Sequence, residues 1–209
     1  MATRVLLLTA IILGSCKQPI QNEDIRSLTI DTNRYLLPIK AFKDTSSYVG
    51  SDTALVEAYT SILKAMREPT LFNQPIANET YRFLWLRTFH QPVVIRIEQM
   101  QNRYYLYWKV ASGKGGNEPC ELVIYKSREI SRNDWDQFQN LLAKIDFWNA
   151  STILIKEQLG FDGSQWIFEG VRDHRYHITD RWSPRNNDYY KCGAFLIGLT
   201  DLQIPDWQM

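Results

Sequence analysis

The chain is poor in the residues that most catalytic and metal chemistry needs. Of its 209 residues three are cysteine (Cys16, Cys120, Cys192) and three are histidine (His90, His174, His177). Zinc sites draw four ligands, mostly Cys and His at short fixed spacings. His174 and His177 stand an odd number of positions apart in a stretch that reads as a strand, which sends them to opposite faces. No metal and no other cofactor is expected. Charge of one sign is missing too: 24 Lys and Arg stand against 23 Asp and Glu. No long-range field is available to recruit nucleic acid.

No apolar run reaches the ~20 residues of a membrane-spanning helix. Phosphate loops and serine elbows are absent as well. SGKGG (112–116) lacks the leading glycine and trailing Ser or Thr of a phosphate loop and precedes a strand, so it reads as a hairpin loop. Ser164, in DGSQW, stands in a turn entering a strand rather than in a GxSxG elbow.

What is present begins at the first residue. Met1 to Arg4 gives a short, singly charged start, Val5 to Ile12 an apolar run, and Leu13, Gly14, Ser15 and Cys16 follow directly. This is the build of an export signal with small residues before the cut. Leu-Gly-Ser-Cys in that position resembles the lipobox of bacterial lipoproteins. The resemblance implies a signal peptide over 1–15, a diacylglyceryl group on the Cys16 sulfur, and Cys16 as first mature residue. Removing 1–15 takes away Arg4 alone, leaving 23 basic against 23 acidic side chains. Acyl chains then supply the membrane hold without electrostatic help. Lys17 after the cysteine is compatible with passage to the outer membrane. Cys120 and Cys192 are an even pair that an oxidising periplasm would allow to bond, or else two small buried hydrophobes.

Residues 16–51 are polar and irregular and read as the lipidated cysteine and its tether, and 52–205 as a single domain. Hydrophobic residues make up 44% and aromatic ones 13%, enough for a packed core. SDTALVEAYTSILKAMREP places Leu55, Tyr59, Ile62, Leu63 and Met66 at helical spacing. YRFLWLRTF, PVVIRIE, RYYLYWKV and ELVIYKSREI read as four consecutive strands. SRNDWDQFQNLLAKI is a helix with Ser131 and Asp134 at capping-box spacing. SQWIFEGV and RYHITDRW form a second hairpin across Asp173 and His174, and a last helix runs from about Asp188. The expected class is α+β: a mainly antiparallel sheet, a meander of four strands plus a later hairpin, with about three helices packed on it.

Two constellations are candidates for function. If Thr88 lies beside Val93, one face of the meander carries Trp85, Arg87, Arg96, Glu98, Tyr105 and Tyr107. Aromatic rings and guanidinium forks suit sugars or anionic ligands. The same residues also suit a ladder in which each arginine covers a ring and pairs with Glu98. In the second hairpin, pairing Val171 with Tyr176 puts Glu169 and Asp180 on one apolar face. There they serve either as acid/base carboxylates or as partnered buried acids.

YRFLWLRTFHQPVVIRIE, ELVIYKSREIS, IDFWN and DGSQWIFEGVRDHRYHITDRWSP together resemble a domain that recurs in secreted or lipid-anchored bacterial proteins, chiefly of Bacteroidota, and that implies no particular activity. Three readings stay open for the function. One is an envelope lipoprotein, held in the membrane by Cys16, that binds or assembles an envelope protein or glycan through Trp85, Arg87, Arg96, Tyr105 and Tyr107. A second is a hydrolase of envelope polymer using Glu169 and Asp180. The third is an inhibitor or immunity-like lipoprotein using the aromatic surface.

Overall fold

The computed structural model describes residues 21–25, 28, 31–42, 52–74, 78–114, 121–154 and 162–204. Residues 1–15, read above as a signal peptide, and Cys16 and Cys120 lie outside the described residues.

Seven strands form one antiparallel sheet: β1 (Gln21–Asn22), β2 (Glu79–Arg87), β3 (Val93–Met100), β4 (Arg103–Ala111), β5 (Leu122–Ile130), β6 (Ser164–Arg172) and β7 (Arg175–Trp182). Their order is β1-β5-β4-β3-β2-β6-β7. The meander therefore runs outward from β2 on one side, and the later hairpin extends the sheet on the other. Among the described residues three α-helices complete the α+β fold: α1 (Asp52–Ala65), α2 (Arg132–Lys144) and α3 (Asp188–Gly198).

The hairpin β6–β7 turns at Asp173 and His174, both left-handed at φ 50° and 59°. Two such residues give the mirror-image turn whose twist matches that of the strands. Val171 accordingly faces Tyr176 and Glu169 faces Ile178, the register expected from the sequence.

The first hairpin differs. Trp85, not Thr88, lies opposite Val93, and Phe83 lies opposite Ile95. The strands stop at Arg87 and resume at Val93, and the Thr88 N–H donates to the Gly163 carbonyl at 3.0 Å. An odd change of register turns a strand over. Trp85 and Arg87 thus leave the face assigned to them above, and Phe83 lies with them on the other side.

One face of the sheet carries Tyr81, Phe83, Trp85, Ile95, Leu106, Trp108, Trp166 and Phe168, and buries them under α2 and α3 through Trp135, Phe138, Leu142, Cys192 and Leu196. Helix α2 starts on the expected capping box, with Ser131 and Asp134 exchanging both bonds. Asn187 caps α3 by accepting the Tyr190 N–H at 2.9 Å. Gly193 lets α3 approach the sheet: a Cβ there would fall 2.1 Å from a Trp166 ring carbon.

The opposite face buries Leu84, Leu86, Val94, Ala111, Ile167 and Ile178 under α1, through Val56, Tyr59, Ile62, Leu63 and Met66. Leu36, Leu37 and Phe42 join this second core with no exposed surface. The stretch read as a tether is therefore docked at several points between 21 and 42. Gln21 pairs with Ser127 and Asn22 with Lys126, and Asp31 accepts the Thr70 N–H at 2.7 Å. YLLPI supplies core side chains there that no periodic pattern announces.

Candidate functional site

Polar chemistry gathers on the α1 face of the sheet, in two neighbouring zones. The first is a sealed ionic cluster. Helix α1 ends where Arg67 takes the left-handed conformation, φ 51°. The Arg67 N–H then donates to Lys64 O at 2.9 Å and the Glu68 N–H to Leu63 O at 2.9 Å, closing the helix as a Schellman motif. This turn brings Glu68 among three cations. Lys109 Nζ lies 2.7 Å from its carboxylate, Arg96 Nε 3.2 Å and an Arg82 terminal nitrogen 3.5 Å. Burial alone would raise the Glu68 pKa, but the three cations outweigh it and bring the carboxyl down to about 2.

Arg82 Nε donates to Glu169 Oε2 at 2.6 Å, and the Tyr176 hydroxyl donates to the other carboxylate oxygen at 2.8 Å. Burial raises the Glu169 pKa against the pull of Arg82. Burial also pulls the Lys109 ammonium down, while its Nζ donates to the Arg67 carbonyl at 2.8 Å. Arg82 and Glu68 carry no sequence signal. Arg82 stands among apolar neighbours in a strand buried on both faces, and Glu68 reads as the frayed end of a helix.

Glu169 and Asp180 do share this face, as expected, but they are only 1% and 2% exposed. Asp180 accepts from the Tyr59 hydroxyl at 2.9 Å and from the Gln165 amide. Its backbone N–H donates to Thr152 O at 2.7 Å. Both acids have the hydrogen-bond partners that burial demands, and neither lines a described cavity.

The second zone is open. Arg96 lies opposite Tyr107 and Glu98 opposite Tyr105, and Arg96 covers the Tyr107 ring at 4.5 Å while pairing with Glu98. Tyr105 and Tyr107 are half-buried, their rings 6.5 Å apart and tilted by 30°. No β5 residue belongs to the core under α1. The β4–β5–β1 flank instead holds a cavity of about 300 Å³, lined by the two tyrosines with Gln21, Glu23, Arg103, Ser127, Arg128 and Glu129.

The cations lining this cavity are engaged within the chain. Arg103 pairs with Glu129 and stands 5.3 Å from the Tyr105 ring centre, and the Ser127 hydroxyl donates to Glu23. Arg128 Nε is engaged elsewhere, donating to Leu199 O at 2.9 Å.

The five residues expected to form one ligand face are thus divided. Arg96, Tyr105 and Tyr107 lie together. Trp85 lies on the other side with no exposed surface, its ring 5.5 Å from that of Trp166. Arg87 stacks on Trp85 at 4.2 Å and donates to Gln91 O at 3.2 Å. Burial lowers its guanidinium to about 10.

His177 shares the α2 and α3 face with Arg181, away from Asp180. Its Nε2 donates to Ala150 O at 2.9 Å, and burial holds its pKa low. Arg181 clamps the same loop by donating to Ser151 O and Thr152 O at 2.7 and 2.8 Å. The Cys192 thiol is free and buried, and burial raises its pKa. Among the described residues no three His, Cys, Asp or Glu converge as metal ligands.

Neither a protein-family model nor a curated protein matched the chain.

Proposed function

We propose that this chain is a non-catalytic binding module of the bacterial envelope, anchored in the outer membrane through acylated Cys16, whose ligand sits in the cavity over Tyr105 and Tyr107. One contrast carries the reading. The acids that would do chemistry are closed off and bonded to Arg82, Tyr176, Tyr59 and Gln165, whereas the two tyrosines flank an open cavity. Half-buried tyrosines offer rigid apolar faces with a polar tip, the side chain best suited to a ligand that is apolar on one side and wet on the other. Trp85, inside the helix-covered core, and Arg87, which lines a different cavity beside Phe89 and Asp162, have no part in it.

Hydrogen exchange tests this reading. A solubilised bacterial envelope fraction is added to the purified chain, and protection is expected at 103–107 and 127–129. Protection confined to other segments, or none, overturns the site.

A further inference from the structure

Gln21 has two roles at once: it lines the cavity, and it pairs with Ser127 at the sheet edge. It also follows Cys16 by five positions. Five residues of fully extended chain reach at most ~18 Å, so the Cys16 backbone, from which the acyl group hangs, stays within that distance of the cavity rim. The headgroup layer of a bilayer is itself roughly 5–8 Å deep on each side.

The pairing also sets a direction. Asn22 faces Lys126 and Gln21 faces Ser127, so the N-terminal end of β1 points toward Glu129, Arg103 and the β3–β4 turn at Gln101 and Asn102. The loop bearing Phe89, 60% exposed, lies at the other end of strands that span roughly 30 Å at ~3.4 Å per residue.

Resting on the anchored reading above, we infer that this cavity takes the sugar headgroup of a lipid in the same membrane that holds Cys16. The cavity offers no spare cation to an isolated phosphate, because Arg103 is paired with Glu129, Arg128 Nε is bonded to Leu199 O, and the Glu23 carboxylate, held by the neutral Ser127 hydroxyl, adds negative charge. It offers two tyrosine faces and a rim of amide, hydroxyl, carboxylate and guanidinium groups. Such a lining suits a neutral ring with hydroxyls around it. A lipid source follows from the short reach to the anchor.

The test uses the full chain made in a bacterium that acylates lipoproteins, with the mass of the purified protein reporting Cys16. Asn102→Cys and Phe89→Cys, each with Cys120→Ser, carry a fluorophore in phosphatidylethanolamine vesicles containing a nitroxide-headgroup lipid. Quenching is expected to be several-fold stronger at position 102 than at 89; equal or reversed quenching overturns the orientation. In a second arm, glucosyl diacylglycerol with a photoactivatable group on the sugar is expected to label 103–107 or 127–129 in the wild type and not in Tyr107→Ala. Unlabelled glucosyl diacylglycerol should compete, and free methyl glucoside at the same concentration should not. Equal competition by the free glucoside overturns the lipid source, and labelling elsewhere or nowhere overturns the sugar headgroup. An unmodified Cys16 removes the anchor, and this inference with it. Acylated Cys16 with failed quenching or labelling overturns the inference alone.

Discussion

Arg82 and Glu169 stand directly opposite each other on β2 and β6, and the Arg82 guanidinium grips the Glu169 carboxylate with both residues out of solvent. Breaking a buried pair by removing one partner strands the other charge and costs about 3–5 kcal/mol. Arg82→Met and Glu169→Leu are each expected to lower the unfolding free energy obtained from urea titration by that order. The double variant should lose clearly less than the sum, because it strands neither member of the pair. Additive losses would contradict the coupling.

Glu68 ties stability to acid. Its carboxyl is held near 2 in the folded chain against an ordinary 4.5. A folded pKa below the unfolded one gives stability that is complete above the unfolded value and fades as pH falls from about 4.5 toward 2. The size is about 3 kcal/mol, at ~1.4 kcal/mol per unit. Glu169 acts in the opposite sense, since burial raises its pKa and its contribution fades as pH rises. Urea titrations across pH 2 to 6 should therefore show a flatter acid limb in Glu68→Gln than in the wild type. An unchanged limb would mean that other carboxylates carry it.

The segment before α1 belongs to the fold. Leu36 and Leu37 are fully buried, and the Leu36 N–H donates to Thr60 Oγ1 at 3.1 Å. Leu37→Ala is expected to cost about 2–5 kcal/mol, the range for buried leucines, read as a fall in the thermal midpoint. A loss no larger than that of a surface substitution would return this stretch to the status of a tether.

Gly193 is required for the seat of α3. Its missing side chain makes room for the Trp166 ring, which a Cβ would meet at 2.1 Å. Gly193→Ala gains helix propensity of about 1 kcal/mol, yet overpacking costs about 1–3 kcal/mol, and so tight a contact against a ring favours the larger cost. A stabilised variant in thermal unfolding would show that the helix can shift freely.

Local signals carried most of the fold into the sequence. The capping box at Ser131, the periodic faces of the three helices and the left-handed turn at Asp173 and His174 each fix structure over a few residues. The first hairpin defeated the same approach. In β2, Phe83, Leu84, Trp85 and Leu86 are all buried, because helices cover both faces of the sheet, so alternation does not tell inside from outside. Register then rested on a loop with no diagnostic turn, and Trp85 and Arg87 were placed beside Arg96, Tyr105 and Tyr107 when only the last three lie together. Glu68 and Arg82 were silent for a different reason. Their meaning lies in contacts between α1, β2, β3, β4 and β6, which no short window of sequence contains.

The separation between the open tyrosines and the sealed acids is tested most directly on a sensor carrying solubilised bacterial envelope. Wild type, Tyr105→Ala with Tyr107→Ala, and Asp180→Asn are compared at a temperature where all three are folded. Binding is expected to weaken at least ~10-fold in the tyrosine variant, a difference of about 1.4 kcal/mol, and to be unchanged in Asp180→Asn. Undiminished binding by the tyrosine variant, or loss with Asp180→Asn alone, would contradict the assignment.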